Sequence, residues 1–181
     1  MRKIKVYFDC DGVILDTIDR AAIIARSMGY NPDDPEDFHN FFLQVNWHEL
    51  IYEAGILNDS LSKIRRIIQE RPEYEVAILT KYNPENTTEE AAKRYFFSMF
   101  LPDVEVIMVP FTGHKHETVN PVGNILIEDS VSNADKWDHA GGVGVRFLLN
   151  QELDYERNIV HDIADFEETE GVKRLLKTRN I

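Results

Sequence analysis

Short apolar runs that do not alternate with polar residues recur along the chain, with helical segments between them. Three of these runs are VAIL, VEVIMV and ILI. A strand with one face in water alternates apolar and polar residues, whereas a parallel strand covered on both faces is apolar nearly throughout. The pattern therefore predicts an α/β fold built on a mainly parallel five-stranded sheet. The predicted strands cover about residues 4–8, 75–79, 104–109, 124–127 and 143–149.

Helices are predicted between these strands from the spacing of apolar residues. The segments cover about residues 17–28, 47–54, 60–70, 87–100, 133–140 and 168–177. Thr87 and Glu90 match a capping box at the start of the fourth helix, and the proline-containing stretch 31–40 indicates turns. The connection from the first strand to the second is far too long for a simple crossover. It must hold extra helices, which suggests a small lid at the sheet edge.

Charge and composition exclude some function classes. The formal net charge is −12, whereas a protein that binds long nucleic acids needs a basic surface. No apolar run is long enough to span a membrane, and the N-terminal run ends in aspartates, which predicts a strand and not a signal peptide. Cys10 is the only cysteine, so no intrachain disulfide can form, which fits a reducing cytosol. We therefore expect a cytoplasmic protein whose charge still permits a small phosphorylated substrate.

Polar side chains collect where the predicted strands end. They are Asp9 and Asp11 after the first strand, Thr80 and Lys81 after the second, Lys115 in the loop after the third, and Asp129 after the fourth. Ligands of an open parallel sheet bind beyond the C-terminal ends of its strands. Any one of these residues could be a turn residue or a helix cap. A shared site explains all of them together.

The three aspartates of this set predict a metal ion. Crowded carboxylates repel one another, and one of them protonates unless a cation is supplied. A hard divalent cation with oxygen ligands resolves the conflict, and Mg²⁺ is the simplest choice because substrate phosphate often completes its shell. Thr80 can donate its hydroxyl to a phosphate oxygen, and Lys115 can supply a positive charge.

Three segments contain the three aspartates and Thr80: FDCDGVILD at 8–16, AILT at 77–80 and ILIEDSVSNADKW at 125–137. They resemble the first, second and fourth motifs of the haloacid dehalogenase-like (HAD) phosphohydrolase superfamily. Lys115 fits the third-motif lysine, with Lys81 as the alternative. Within the superfamily the chain is most similar to the 5′(3′)-deoxyribonucleotidase-type nucleotidases, from Ile-Glu-Asp-Ser followed by Asn133 and Trp137. It departs from their pattern at Glu128, where Asp is usual, and at Lys81, where a smaller residue is usual.

The resemblance implies a Rossmann-like three-layer sandwich, with a core of residues 1–16 and 74–181 and a small helical cap, residues 17–73, inserted after strand one. It also implies a two-step reaction. Asp9 would attack phosphorus and form an aspartyl-phosphate. Asp11 would protonate the leaving alkoxide and then take a proton from water. The Asp9 carboxylate, the Asp11 backbone carbonyl and Asp129 would hold Mg²⁺, while Thr80 and either Lys115 or Lys81 would bind phosphate oxygens.

The predicted activity is hydrolysis of a small phosphomonoester, with a nucleoside monophosphate as one candidate substrate. Four aromatic residues of the insertion could stack on a nucleobase or form the insertion's own core: Phe38, Phe41, Phe42 and Trp47. A phosphosugar phosphatase or phosphomutase of the same superfamily is the alternative. A phospho-accepting receiver domain is disfavoured, because its phosphorylated aspartate follows the third strand, which here ends in Val-Pro-Phe. The predicted partners are a small phosphorylated metabolite and, as one candidate, a second copy of the chain in a homodimer.

Overall fold

The computed structural model describes residues 3–149 and 153–180. Within these ranges, six parallel strands form one sheet in the order β3-β2-β1-β4-β5-β6. The strands are β1 (Ile4–Phe8), β2 (Tyr74–Tyr82), β3 (Glu105–Pro110), β4 (Ile125–Glu128), β5 (Val143–Phe147) and β6 (Ile159–Val160). The helices are α1 (Thr17–Ser27), α2 (Pro35–Gln44), α3 (Trp47–Glu53), α4 (Ser60–Glu70), α5 (Glu89–Phe100), α6 (Lys115–Thr118), α7 (Val131–His139) and α8 (Glu170–Arg179). The predicted α/β architecture with a parallel sheet is confirmed.

The central strands are buried on both faces, which explains why their sequences are apolar throughout. In β1, Val6 and Phe8 belong to one hydrophobic cluster, which also contains residues of α1 and α5. Tyr7 points the other way and meets Trp137 of α7, with ring centroids 5.3 Å apart. Alternate side chains of a strand point to opposite faces, so a strand between two helical layers needs apolar residues at every position.

The sheet has six strands, and the prediction of five was wrong by one short strand at the edge. The additional strand, β6, contains only Ile159 and Val160 and pairs in parallel with Arg146 and Phe147 of β5. A segment of two residues has no periodicity to detect in the sequence. Its pairing depends on β5 offering a free edge.

The stretch predicted to form turns contains a helix. Residues 35–44 are α2, and the side chain of Asp34 accepts hydrogen bonds from the backbone N–H groups of Glu36 and Asp37. Pro35 occupies the first turn, where its missing N–H has no helical partner to lose. Pro35 therefore marks the beginning of a helix, so the prediction of turns is confirmed for residues 32–34 and wrong from Pro35 onwards.

The capping box predicted for α5 is also absent. The helix begins at Glu89, and the backbone N–H groups of Thr88 and Glu89 donate to the side-chain oxygen of Asn86. The side chain of Glu89 turns back instead and accepts a hydrogen bond from the backbone N–H of Asn83, at 2.9 Å. This folds the β2–α5 connection tightly at the edge of the sheet where the polar residues collect.

The insertion between β1 and β2 contains α1 to α4. α3 contacts both α1 and α5, and α4 contacts β2. The division into a core of residues 1–16 and 74–181 and a cap of residues 17–73 stays a prediction, and its ranges include residues outside the described part of the chain. None of the helices in the described ranges has the length and apolar character needed to cross a membrane.

Candidate active site

The loop after β1 turns sharply and brings two aspartates to the C-terminal edge of the sheet. Asp9 continues the ladder, because its N–H donates to the carbonyl of Ile127 in β4 at 3.0 Å. The turn is then closed by the Gly12 N–H, which donates to the carbonyl of Leu15 at 2.8 Å. Gly12 has φ +74°, a backbone conformation that glycine adopts without steric cost.

A second reason for glycine at position 12 is its distance from Asp129. A Cβ atom added to Gly12 would lie 2.3 Å from Oδ2 of Asp129, which is closer than any van der Waals contact allows. The carboxylate of Asp129, directly after β4, therefore packs on the bare backbone of the β1 loop. This close approach brings together the two segments that resemble the first and fourth motifs.

The side chain of Lys115 contacts two carboxyl groups, and a third lies beside them. Its Nζ is 2.8 Å from Oδ1 of Asp9 and 2.6 Å from Oε2 of Glu128, and the side chain is 2% exposed. One oxygen from each of Asp9, Glu128 and Asp129 lies within 4.8 Å of the other two. We call these four residues, Asp9, Lys115, Glu128 and Asp129, the Lys115 cluster.

The Lys115 cluster has three carboxyl groups for one ammonium group, and the carboxyl pKa values reflect this. Burial, followed by the charge of Glu128, raises the pKa of Asp9 from 3.8 to about 7, against the opposing charge of Lys115. Burial and the charge of Asp9 raise the pKa of Asp129 to about 6. For Lys115, burial lowers the pKa, but the charges of Asp9 and Glu128 outweigh it and raise the pKa overall.

The donor set of the cluster fits a hard divalent cation such as Mg²⁺, since three carboxylate oxygens converge and, among the described residues, Lys115 is the one cation in direct contact with them. Glu128 belongs to this set although it was not among the predicted ligands. Its Oε2 is held by Lys115, and its Oε1 accepts the backbone N–H of Ser130 at 3.1 Å. That Asp11 contributes a backbone carbonyl to a metal stays a prediction.

The side chain of Asp11 is held by a different lysine. Its Oδ2 accepts a hydrogen bond from Nζ of Lys93 at 2.6 Å, and its Oδ1 accepts one from Oγ1 of Thr17 at 2.7 Å. Lys93 also donates to Oε1 of Glu89 and to the backbone carbonyl of Lys81, each at 2.7 Å. We call Asp11, Thr17, Glu89 and Lys93 the Lys93 cluster.

Lys93 was not among the site residues predicted from the sequence, although its spacing from other residues of α5 indicates a buried side chain. Glu89 and Lys93 are four residues apart on α5, a spacing that usually marks a salt bridge on a solvated face. Position 93, however, also lies four residues before Phe97, which is fully buried. A lysine on the apolar face of a helix needs a buried partner, and here that partner is Asp11.

The structure distinguishes the two candidates for the motif-three lysine by their contacts. Lys115 contacts Asp9 directly. Nζ of Lys81 instead donates to the carbonyl of Phe111 at 3.3 Å and lies 5.7 Å from the centre of the Phe111 ring. Burial, and then the charge of Lys115, lowers the pKa of Lys81. Thr80 is fully buried inside β2, with Oγ1 at 3.5 Å from Oδ2 of Asp11.

A cavity of ≈ 390 Å³ opens beside Asp11, between the insertion and the ends of the strands. Its aromatic lining consists of Phe38, Phe42, Trp47, Tyr82, Phe111 and His39, and its polar lining includes Asp11, Lys81, Asn83 and Glu89. Three of the four aromatic residues predicted for a substrate pocket thus border a real cavity. Phe41, the fourth, is fully buried and packs against the rings of Phe38 and Phe42 as part of the core.

Comparisons with family models and with curated proteins find no match. Solved structures do match over nearly the whole chain. A HAD-superfamily hydrolase of subfamily IA from Geobacter sulfurreducens PCA superposes with a TM-score of 0.58 at 14% identity, covering 91% of this chain and 94% of that one. The HAD-hydrolase YfnB from Bacillus subtilis, solved bound to magnesium, has a TM-score of 0.56 at 12% identity and full coverage of both chains.

A protein from Bacteroides vulgatus that carries the name beta-phosphoglucomutase is similar as well. It superposes with a TM-score of 0.55 at 14% identity, covering 97% of this chain and 90% of that one. Identities this low show a shared fold and leave the activity of this chain to its own residues. The protein has the fold of the HAD-superfamily hydrolases.

Proposed function

We propose that the protein is a Mg²⁺-dependent phosphatase that hydrolyses a small phosphomonoester through an aspartyl-phosphate at Asp9. The observation that carries the proposal is that two neighbouring carboxylates, Asp9 and Asp11, have different surroundings. Asp9 lies among acidic groups that suit a cation, whereas Asp11 faces a cavity large enough for a leaving group. Both aspartates come from the loop after β1, only two residues apart.

In the first step, one carboxylate oxygen of Asp9 attacks phosphorus while the bond from phosphorus to the leaving oxygen breaks. Oδ1 of Asp9 already accepts hydrogen bonds from Nζ of Lys115 and from the Cys10 N–H, at 2.8 and 2.7 Å. Oδ2 accepts none from the described residues, so it is the oxygen we assign to the attack. Asp11 gives its proton to the departing alkoxide.

In the second step, water attacks the phosphorus of the aspartyl-phosphate and the bond to Asp9 breaks. Asp11, now ionised, takes a proton from that water and returns to its starting state. Lys115 and Thr80 would stabilise the negative charge on the transferring phosphoryl oxygens. Mg²⁺ held by Asp9, Asp129 and Glu128 would neutralise the charge of the nucleophile and of the anionic ester.

The cavity supports a leaving group with an apolar or flat part, because aromatic side chains form much of its lining. A nucleoside monophosphate fits this description and remains the first substrate to test. The second candidate is a sugar phosphate, as substrate of a phosphatase or a phosphomutase, which the similarity to the Bacteroides vulgatus protein favours. A receiver-like phospho-accepting domain is the least favoured, because no aspartate follows β3 directly.

The test is a panel of phosphate esters, assayed with Mg²⁺ and with a chelator in place of the metal. We expect release of inorganic phosphate only with Mg²⁺, and a preference between nucleoside monophosphates and sugar phosphates that identifies the substrate class. Transfer of phosphate between positions of one sugar, with little net release, would make the protein a mutase. No turnover of any ester on the panel would refute the proposal.

A further inference from the structure

Lys93 is a buried cation that the phosphatase mechanism described above does not use. Its side chain is 1% exposed. Removing an ammonium group from water costs several kcal/mol, which is offset only when its hydrogen-bonding capacity is met. Here all three donors have an acceptor: Oδ2 of Asp11, Oε1 of Glu89 and the carbonyl of Lys81. Burial lowers the pKa of Lys93, but the charges of Asp11 and Glu89 outweigh it and raise the pKa overall.

The three acceptors belong to three different parts of the fold. Asp11 lies in the loop after β1, Lys81 in β2 and Glu89 at the beginning of α5. Lys93 therefore ties together the elements whose relative placement sets the position of Asp11. An apolar residue could fill the same space on α5, but it could not specify where a carboxylate oxygen lies.

Lys93 also lies directly behind the lining of the cavity. Its Nζ is 4.5 Å from the centre of the Trp47 ring, close enough for a cation–π interaction. Trp47, Asp11 and Glu89 line the cavity in front of it. The backbone N–H of Trp47 donates to Oγ1 of Thr88, one residue before α5 begins, so this part of the lining is joined to the helix that carries Lys93.

We propose that Lys93 is a positioning residue, which holds the carboxylate of Asp11 at the edge of the aromatic cavity so that it can exchange a proton with the leaving group. The inference rests on the proposed phosphatase function. Lys93 and Thr17 each hold one oxygen of Asp11, which leaves the carboxylate a single orientation. Lys93 itself does not touch the substrate, and its influence on the reaction passes through Asp11.

The leaving group provides the test. An alkyl phosphate needs its departing oxygen protonated, whereas 4-nitrophenolate departs readily without a proton. In Lys93→Met we expect phosphoenzyme formation from an alkyl phosphate to slow by about 10²-fold, the lower range of general acid catalysis. The rate from 4-nitrophenyl phosphate should change much less. Arg94→Met is the matched control, because Arg94 pairs with Glu90 at the same spacing on the exposed face of α5, and both of its rates should stay unchanged.

A double-mutant comparison separates positioning from general damage. In an Asp11→Asn background, Lys93→Met should add little further loss with the alkyl phosphate, because the group through which Lys93 acts is already gone. An additional loss of about 10²-fold in that background would overturn the inference. So would an equal loss for the alkyl and aryl esters in the single variant.

A structural measurement decides the inference even without turnover. If Lys93→Met does not fold, Lys93→Gln is used in its place: its amide nitrogen is one atom closer to the backbone and has two N–H donors for three acceptors, so the contact with Asp11 should be lost. Crystal structures of the variant and of the unsubstituted protein should show the Asp11 carboxylate displaced from Thr17 in the variant. An unchanged Asp11 would overturn the positioning role. A lack of activity towards both esters in the unsubstituted protein would instead refute the proposed function.

Discussion

Two buried lysines lie at the end of the sheet, and each joins a carboxylate of the β1 loop to a glutamate. Lys115 joins Asp9 to Glu128, and Lys93 joins Asp11 to Glu89. Their exposed fractions are nearly the same, at 2% and 1%. The two clusters differ in charge, because the Lys115 cluster has an additional carboxyl group from Asp129.

That additional carboxyl group gives the two clusters different tasks. In the Lys115 cluster, one ammonium cannot compensate three carboxylates, and the pKa values of Asp9 and Asp129 rise to about 7 and about 6. Such a cluster suits a cation. In the Lys93 cluster, the ammonium has a full set of acceptors and the two carboxylates have donors, so the geometry is complete without a metal. The Lys115 cluster suits the binding of a cation, and the Lys93 cluster suits holding a proton donor in place.

The largest expected difference between the clusters is in catalysis. Asp9→Asn should lower kcat by about 10⁵-fold or more, because the nucleophile is lost. Asp11→Asn should lower it by about 10²–10⁴-fold, the range for a general acid–base group. Steady-state kinetics with the best ester of the panel provides the comparison, and Asp19→Asn on the exposed face of α1 serves as the control. Equal losses for the two variants would break the assignment of different roles.

Removing either lysine should destabilise the protein, by about 3–5 kcal/mol, since each leaves carboxylates at the end of the sheet without their cationic partner. The clusters should then respond differently to Mg²⁺. The metal can replace the lost charge in Lys115→Met and restore part of the free energy of unfolding, whereas it should restore little in Lys93→Met. Urea unfolding with and without Mg²⁺ measures the difference. The same recovery in both variants would contradict the view that only one cluster suits a cation.

The approach of Asp129 to Gly12 can be tested with a matched pair of glycines. Gly12 and Gly29 both have positive φ, at +74° and +89°, but an added Cβ meets Asp129 only at Gly12 and meets open space at Gly29. The backbone strain of an alanine held at positive φ costs about 1–3 kcal/mol at either position. Gly12→Ala should therefore lower the free energy of unfolding more than Gly29→Ala and should weaken stabilisation by Mg²⁺. Equal losses with intact Mg²⁺ stabilisation would show that the contact with Asp129 is unimportant.

The raised pKa values of Asp9 and Asp129 predict a pH dependence of the Lys115 cluster. A carboxyl group whose pKa rises on folding stabilises the folded state below its unfolded pKa of 3.8, and this stability is lost as the pH rises through about 6 to about 7. Protons and Mg²⁺ compete for the same oxygens. Stabilisation by Mg²⁺ should thus be larger at about pH 8 than at about pH 5, by about 2 kcal/mol for a metal present at a hundred times its Kd.

Thermal unfolding at the two pH values, each with and without Mg²⁺, measures this competition. Asp129→Asn provides the control, because it removes one competing carboxyl group and should reduce the pH dependence. A Mg²⁺ effect that is equal at both pH values would mean that the metal binds elsewhere.

The sequence predicted the strand-end residues well because their placement depends on local patterns. Asp9, Thr80 and Asp129 occupy or follow apolar runs, and parallel strands bring such positions to the same edge of a sheet. The short strand β6 could not be predicted in this way, because two residues have no periodicity. The helix α2 was missed for another reason, since Pro35 was interpreted as a turn residue although Asp34 before it is a favourable N-cap.

Taken alone, the order of apolar runs and polar strand ends predicted the α/β fold and the edge of the sheet where the polar side chains, among them Asp9 and Asp11, collect. The tertiary structure decided which lysine meets which aspartate. Lys93 and Asp11 are 82 positions apart, and the addition of Glu128 to the acidic cluster likewise depends on the direction of its side chain. Periodicity specifies which face of a strand or helix is buried, whereas a contact between distant side chains exists only after the elements that carry them have packed.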